Sequence, residues 1–195
     1  MSGFSLSAEN AKAAKGFIAR YPAGREQSAV MPILDLAQRQ NGGWLSAAAI
    51  AHVADFLHMP PIRVQEVASF YSMYHLKPVG KHVIGVCTTT PCWLRGSAEI
   101  LDTCRDTLGI AVGETTEDGL FTLTEVECLG ACCNAPMVQI GDDYYEDLDA
   151  DSTRNILESL REGLTPKPGS QTGRRSSEPA AGLTTLKDSH KPEAV

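Results

Sequence analysis

The chain has 195 residues, of which 43% are hydrophobic and 6% aromatic, and its formal net charge is -7. This is enough apolar material for one or two small globular units, and the negative charge argues against nucleic acid as the main partner. No segment approaches the roughly 20 apolar residues of a membrane-spanning helix, and the N-terminus lacks the basic and apolar regions of a secretory signal. We therefore expect a soluble intracellular protein, in which cysteines serve as ligands or buried thiols more often than as disulfides.

The first part of the chain has the apolar periodicity of helices. Ser7 and Ser46 stand where N-caps of the first and third helices are expected, and Asn41-Gly42-Gly43 is a typical end for the second. Short connections between helices of this length predict a small bundle over residues 1–77. The four predicted helices cover residues 8–20, 28–40, 46–58 and 62–74.

The pattern changes after Lys77-Pro78, where short apolar runs indicate strands. A helical pattern ends near residue 108, and another ends near residue 160. The order β-α-β-β-β-α predicts a mixed sheet with helices packed on it, compatible with a thioredoxin-like arrangement over residues 78–163. The predicted strands are residues 82–86, 110–112, 120–126 and 137–140, with the start of another at Tyr144-Tyr145.

Residues 164–195 are rich in Pro, Gly, Ser and Thr. Such a segment cannot bury a core of its own. It is therefore either disordered or a tail that becomes ordered against a partner. Residues 182–186 carry its apolar anchors.

Four of the six cysteines form two pairs. Four residues separate Cys87 from Cys92, three separate Cys128 from Cys132, and 35 residues lie between the pairs. Each pair follows directly on a predicted strand, and strand ends in open sheets are where functional sites collect. Two adjacent strands would bring the pairs together.

Four thiolates can hold a [2Fe–2S] cluster, two on each iron. Backbone N–H groups of Gly130, Ala131 and the loop 88–90 are candidate donors to its negative charge. Structural zinc sites mostly have two residues between cysteines, although up to four are known. The longer gaps favour the [2Fe–2S] cluster, and zinc stays the alternative.

The two other cysteines have different expected roles. Cys104 lies on the apolar stripe of its helix and is expected to be a buried thiol. Cys133 adjoins Cys132, and the spacing alone leaves open which of these two is a ligand. Trp93 follows Cys92 and is expected to shield the site from water.

These motifs resemble the small [2Fe–2S] subunit of respiratory complex I, the thioredoxin-like ferredoxin of its NADH-dehydrogenase module. The matching segments are residues 21–25, 28–29, 85–92, 127–136 and 173–186, and the resemblance covers residues 8–186. It implies an α+β fold: an N-terminal helical bundle, a thioredoxin-like α/β domain with a mixed sheet, and an extended C-terminal tail. In that family the first cysteine after Leu-Gly-x is the ligand. The cluster-binding and metal-binding residues implied are Cys87, Cys92, Cys128 and Cys132.

The resemblance also implies a function in electron transfer. The chain would be a subunit of NADH:quinone oxidoreductase whose [2Fe–2S] cluster exchanges electrons with the FMN of a neighbouring flavoprotein subunit. That partner would bind NADH, FMN and a [4Fe–4S] cluster, beside other peripheral-arm subunits. We expect a peripheral location, on the cytoplasmic side of a bacterial inner membrane or the matrix side of a mitochondrial one.

No catalytic residue of this chain's own is expected, because the sequence shows neither a dinucleotide fingerprint nor a phosphate loop. Two alternatives stay open. One is the equivalent subunit of a soluble NAD-dependent formate dehydrogenase or hydrogenase. The other is a zinc-stapled interaction module.

Overall fold

The computed structural model describes residues 3–182 and 184–185. Two compact units make up the chain, Met1–Lys81 and His82–Val195. The predicted division with boundaries at residues 77 and 163 stays a prediction, and residues 183 and 186–195 of the predicted tail lie outside the described residues. Within the described part, none of the helices has both the length and the apolar character needed to span a bilayer.

The first unit consists of helices, as predicted. Ser7 and Ser46 cap two of them, each accepting a hydrogen bond from the backbone N–H three residues on, which satisfies a donor that the first turn leaves free. Neighbouring helices pack on one another, around a core that includes the fully buried Ile33, Leu34 and Val53. The helices are α1 (Ala8–Ile18), α2 (Val30–Gln40), α3 (Ala47–Phe56) and α4 (Pro61–Phe70).

Helix α4 is shorter than predicted: it ends at Phe70, whereas the predicted helix continues to residue 74. Tyr71 has an extended backbone, so the chain turns away from the helix axis. This turn lets Tyr74 reach the core, where it is 5% exposed and its hydroxyl donates to the carbonyl oxygen of Met31 at 2.9 Å. Tertiary packing thus outweighs the helical pattern of the last turn.

The second unit is a five-stranded sheet with helices. The order of the strands is β2-β1-β3-β4-β5; β1 and β2 are parallel, whereas β3 is antiparallel to both β1 and β4. Helix α6 packs on β1 and β2, and α7 packs on α6. The helices are α5 (Thr90–Leu94), α6 (Ser97–Leu108) and α7 (Ala150–Arg161). The strands are β1 (His82–Cys87), β2 (Phe121–Val126), β3 (Val138–Ile140), β4 (Asp143–Glu146) and β5 (Gly169–Ser170).

The strand predicted at residues 110–112 is wrong. Ile110 and Ala111 have no regular structure and Val112 lies in a turn, where the Ala111 N–H donates to the Glu114 carboxylate at 2.8 Å. Gly113 takes a φ of +88°, which glycine adopts without strain, and its N–H bonds to the carbonyl oxygen of Leu123. One hydrogen bond within the turn and one to β2 therefore replace the strand that the apolar run suggested.

The chain after α7 returns to the sheet. Strand β5 pairs in parallel with β4 and forms one edge of the sheet. Part of the segment after residue 163 is therefore ordered by contacts within this unit.

Candidate metal centre

The register of β1 and β2 brings the two cysteine pairs together. The strands are parallel and Cys87, the last residue of β1, stands opposite Val126, the last residue of β2. Cys128 follows two residues later, so the loop with Cys92 and the loop with Cys132 leave the sheet at the same end. The sequence predicted that two adjacent strands would bring the pairs together, and the structure adds that these strands are parallel.

The first pair lies on the inner side of the site. Cys87 and Cys92 are each 2% exposed, because β1 is a central strand and the short helix α5 carries Cys92 back towards it. Burial raises the pKa of Cys92 to about 12. Burial also acts on Cys87, but hydrogen bonds from the hydroxyl and backbone N–H of Thr89, with further donors, outweigh it and place the pKa of Cys87 below its ordinary value.

The second pair lies on the outer side. Cys128 and Cys132 are exposed, and their Sγ atoms are 3.3 Å apart. A hydrogen bond from the Gly130 backbone N–H lowers the pKa of Cys128. The hydrogen bond with the Cys128 thiol raises the pKa of Cys132, so one sulfur of this pair is favoured as a thiolate.

The pairs also influence one another. The charges of Cys128 and Cys87 both raise the pKa of Cys132, and Cys132 in turn adds to the effect of burial on the pKa of Cys92. The four thiols therefore form one electrostatic group rather than two independent ones.

Backbone N–H groups converge on these sulfurs. The donors are Thr89 and Leu129 to Cys87, Met137 to Cys92, and Gly130 to Cys128. The sequence predicted donors at Gly130, Ala131 and the loop 88–90; Gly130 and Thr89 of that loop are among the donors found, Ala131 is not, and Leu129 and Met137 were missed. Their N–H directions are set by the path of the backbone around the turn at Gly130, whose φ of +85° only glycine adopts readily, and just before β3. A residue pattern does not give these directions, even where it predicts the strand.

The other cysteines differ from these four in their surroundings. Cys104 is fully buried in α6, as expected, and burial raises the pKa of its thiol to about 12. Cys133 is exposed and lies close enough to Arg174 to add to the rise that Asp147 causes in the pKa of that guanidinium. Trp93 is 63% exposed, and the shielding expected of its ring stays a prediction.

The donor set fits an iron–sulfur cluster. Two thiolates on one tetrahedral metal, at a metal–sulfur distance of about 2.3 Å, lie about 3.8 Å apart, and the 3.3 Å of Cys128 and Cys132 is close to that value. Across the described residues, no three His, Cys, Asp or Glu side chains are gathered in the way a single metal ion requires. The arrangement is two adjacent pairs, and a two-iron cluster uses its four thiolates in two pairs.

The fold and the cysteine pairs define a class of small redox protein. The chain matches the thioredoxin-like [2Fe–2S] ferredoxin family over residues 14–161, and it belongs to that family. The family resemblance and the α+β fold class expected from the sequence are thereby confirmed.

Two relatives within this family are similar to the chain over most of its length. A protein of Rickettsia bellii, named as a subunit of NADH-quinone oxidoreductase, is 55% identical over 161 residues, which is 83% of this chain and 96% of the relative. The mitochondrial NADH dehydrogenase [ubiquinone] flavoprotein 2 of Dictyostelium discoideum is 51% identical over 183 residues, covering 94% of this chain and 74% of the relative.

A solved structure has a similar fold. It is an NAD+-reducing [NiFe]-hydrogenase in the air-oxidized state, with a TM-score of 0.59 at 23% identity. The match covers 67% of this chain but 23% of that longer chain, so it supports the fold alone.

Proposed function

We propose that this chain carries one [2Fe–2S] cluster on Cys87, Cys92, Cys128 and Cys132 and serves as an electron-transfer subunit of NADH:quinone oxidoreductase. The observation that carries the proposal is the meeting of the two cysteine pairs at one end of β1 and β2. The 55% identity to the Rickettsia bellii relative, which is named as a subunit of that enzyme, supports the choice of complex.

The residues of this chain have distinct roles in the proposal. Cys87 and Cys92 fix the buried side of the site, whereas Cys128 and Cys132 present the side that solvent and a redox partner can approach. When bound, the cluster takes up and releases one electron at a time. The backbone N–H groups of Thr89, Leu129, Gly130 and Met137 counter the negative charge of the thiolates and sulfides.

The electron partner in this proposal is a flavoprotein subunit. It binds NADH, FMN and a [4Fe–4S] cluster, and this chain contributes an electron carrier without a catalytic residue of its own. Other peripheral-arm subunits complete the assembly at the surface of a respiratory membrane, on the cytoplasmic side in bacteria or the matrix side in mitochondria.

The test is the metal content of the full chain, purified without oxygen. We expect about two irons and two acid-labile sulfides per chain, and a rhombic EPR signal after reduction with dithionite. Replacement of any of the four ligands by Ala should abolish that signal. One zinc per chain, without iron or labile sulfide, would establish the zinc-stapled module instead.

The equivalent subunit of a soluble NAD-linked hydrogenase or formate dehydrogenase is the second candidate. The fold shared with an NAD+-reducing [NiFe]-hydrogenase is compatible with this candidate but does not favour it over the first. Affinity purification of the native chain distinguishes the two, because it recovers either membrane-arm proteins or a nickel or molybdenum enzyme.

A further inference from the structure

The chain after α7 passes close to the second cysteine pair. Strand β5 places Gly169 opposite Tyr145 and Ser170 opposite Glu146, and the Gln171 N–H continues the pairing by donating to the Glu146 carbonyl oxygen at 2.9 Å. We call residues 169–176 the return segment. It lies beside β4, the strand that follows the ligand loop and β3.

A buried ion pair fastens the return segment. The guanidinium of Arg174 donates to both carboxylate oxygens of Asp147, the residue after β4, with a distance of 3.0 Å from Nε to Oδ2. Only 12% of the Arg174 side chain and 9% of the Asp147 side chain are exposed. The Ser170 hydroxyl donates to the same carboxylate at 2.6 Å. A two-pronged pair of this kind fixes orientation as well as charge.

Asp147 in turn holds the ligand loop. Its backbone N–H donates to the carbonyl oxygen of Asn134 at 2.8 Å. Asn134 closes the single helical turn Cys132–Asn134, which begins at the last ligand. The contact therefore runs from the ion pair directly into the turn that carries Cys132.

The side chain of Asn134 adds a second link. It is 2% exposed, and its amide nitrogen donates to the Glu146 carboxylate at 2.9 Å and to the Ser176 carbonyl oxygen at 2.8 Å. Both amide hydrogens are used, so this buried polar group is satisfied only while the return segment is in place.

We propose that the return segment positions the Cys128–Cys132 loop and that Arg174 is the positioning residue, so that retention of the cluster depends on contacts made far beyond the last ligand. The inference rests on the proposed function, since it assumes that these cysteines bind the cluster. Cys128 and Cys132 are exposed and gain little from packing, so the position of their sulfurs depends on how firmly the loop backbone is held.

Loss of the Arg174 guanidinium has a defined consequence. Asp147 would lose its hydrogen-bonded counter-charge and keep only the Ser170 hydroxyl and the weaker attraction of Arg95, which is unfavourable for a carboxylate with little exposure. The carboxylate is then better solvated if the return segment leaves β4. That movement would remove the Ser176 acceptor from Asn134 and loosen the turn at Cys132.

The test measures iron release from the full-length holoprotein. Wild type, R174A, R174K and K167A are each mixed with an iron chelator without oxygen, and the visible absorbance is followed. K167A is the matched control, because Lys167 is an exposed cation of the same tail. We expect R174A to release iron at least roughly tenfold faster, a factor that corresponds to 1.4 kcal/mol at 25 °C. The rate for R174K should be intermediate, since lysine keeps the positive charge but cannot make the two parallel hydrogen bonds of a guanidinium. The rate for K167A should match that of wild type.

A second comparison separates positioning from general stability. Ile156→Val lowers the stability of the same unit at a buried site on α7. The two variants are compared at equal distance below their own thermal unfolding midpoints. Under that condition we expect I156V to keep the wild-type rate of iron release and EPR line shape, and R174A to change both. Equal release rates for I156V and R174A would overturn the positioning role.

The possible failures are distinguishable. Wild-type protein without two irons per chain would end the proposed function, whereas normal iron content with wild-type release from R174A would end only the positioning role. If R174A gives no soluble holoprotein, the same measurements on R174K test the inference. A wild-type release rate and EPR spectrum for R174K would then overturn it.

Discussion

The hydroxyl group of Thr89 offers a direct way to change the reduction potential of the proposed cluster. Its Oγ1 lies 3.4 Å from the Sγ of Cys87 and, together with the Gly130 N–H, lowers the pKa of Cys128, so it acts on one sulfur of each pair. A [2Fe–2S] centre with four thiolates carries a formal charge of -2 when oxidised and -3 when reduced. A donor stabilises the more negative state more strongly, and its removal in Thr89→Val should therefore lower the potential.

The size of the shift follows from the hydrogen bond. Bonds to charged acceptors contribute about 1.5–3 kcal/mol, and a long bond to sulfur belongs at or below the lower end of that range. Only the difference between the two redox states counts, which we take as about 0.5–1 kcal/mol. For a one-electron couple, at 59 mV for each tenfold change in the equilibrium constant, this corresponds to roughly 20–40 mV.

The assay is an EPR-monitored redox titration of the purified full chain. Thr89→Ser keeps the hydroxyl and should stay near the wild-type potential. Thr88→Val is the matched control, because the Thr88 hydroxyl donates to the Glu125 carboxylate at 2.5 Å instead of to a sulfur. A potential for Thr89→Val that equals that of Thr88→Val, or that lies above wild type, would refute the reasoning.

Three further predictions concern ligand choice, a buried thiol and the helical core. Cys132→Ala should abolish the EPR signal of the reduced protein and Cys133→Ala should retain it, and the opposite result would reassign the ligand. Cys104→Ala should keep the cluster spectrum unchanged, because its thiol is buried in α6; loss of iron from this variant, measured by metal analysis, would count against the four-ligand assignment. Leu34→Ala should lower the free energy of unfolding by about 2–5 kcal/mol, since Leu34 is fully buried in the first unit. Leu164→Ala, at a side chain that is 58% exposed, should change it by less than about 0.5 kcal/mol, and equal effects in a urea titration would contradict the assigned core.

The sequence predicts those parts of the fold that depend on local chemistry. Ser7 and Ser46 are recognisable as caps because a hydroxyl just before an apolar helical pattern satisfies the free N–H groups of the first turn. The pairing of Cys87 with Cys92 and of Cys128 with Cys132 is visible from spacing alone. That these cysteines bind a cluster stays a prediction.

Features that depend on tertiary contacts could not be predicted from the sequence. The N–H donors Leu129 and Met137 carry no distinguishing side chain, since it is the path of the backbone that aims them. Asn134 and Arg174 lie in segments that carry the family resemblance, but nothing in the sequence indicates that they and Asp147 are joined by hydrogen bonds or that all three have little exposure. The apolar run at residues 110–112 misled for the same reason, because the hydrogen bonds of its neighbours decide its conformation.

The parallel pairing of β1 with β2 ties the timing of cluster insertion to folding. In an unfolded chain the two cysteine pairs are far apart. Bringing all four sulfurs together requires closing the long connection between β1 and β2, which has an entropic cost. A slip of one residue in that register would turn the side chains of one strand to the opposite face and separate the pairs. Loading of the proposed cluster with iron and sulfide is thus expected to follow formation of the central sheet.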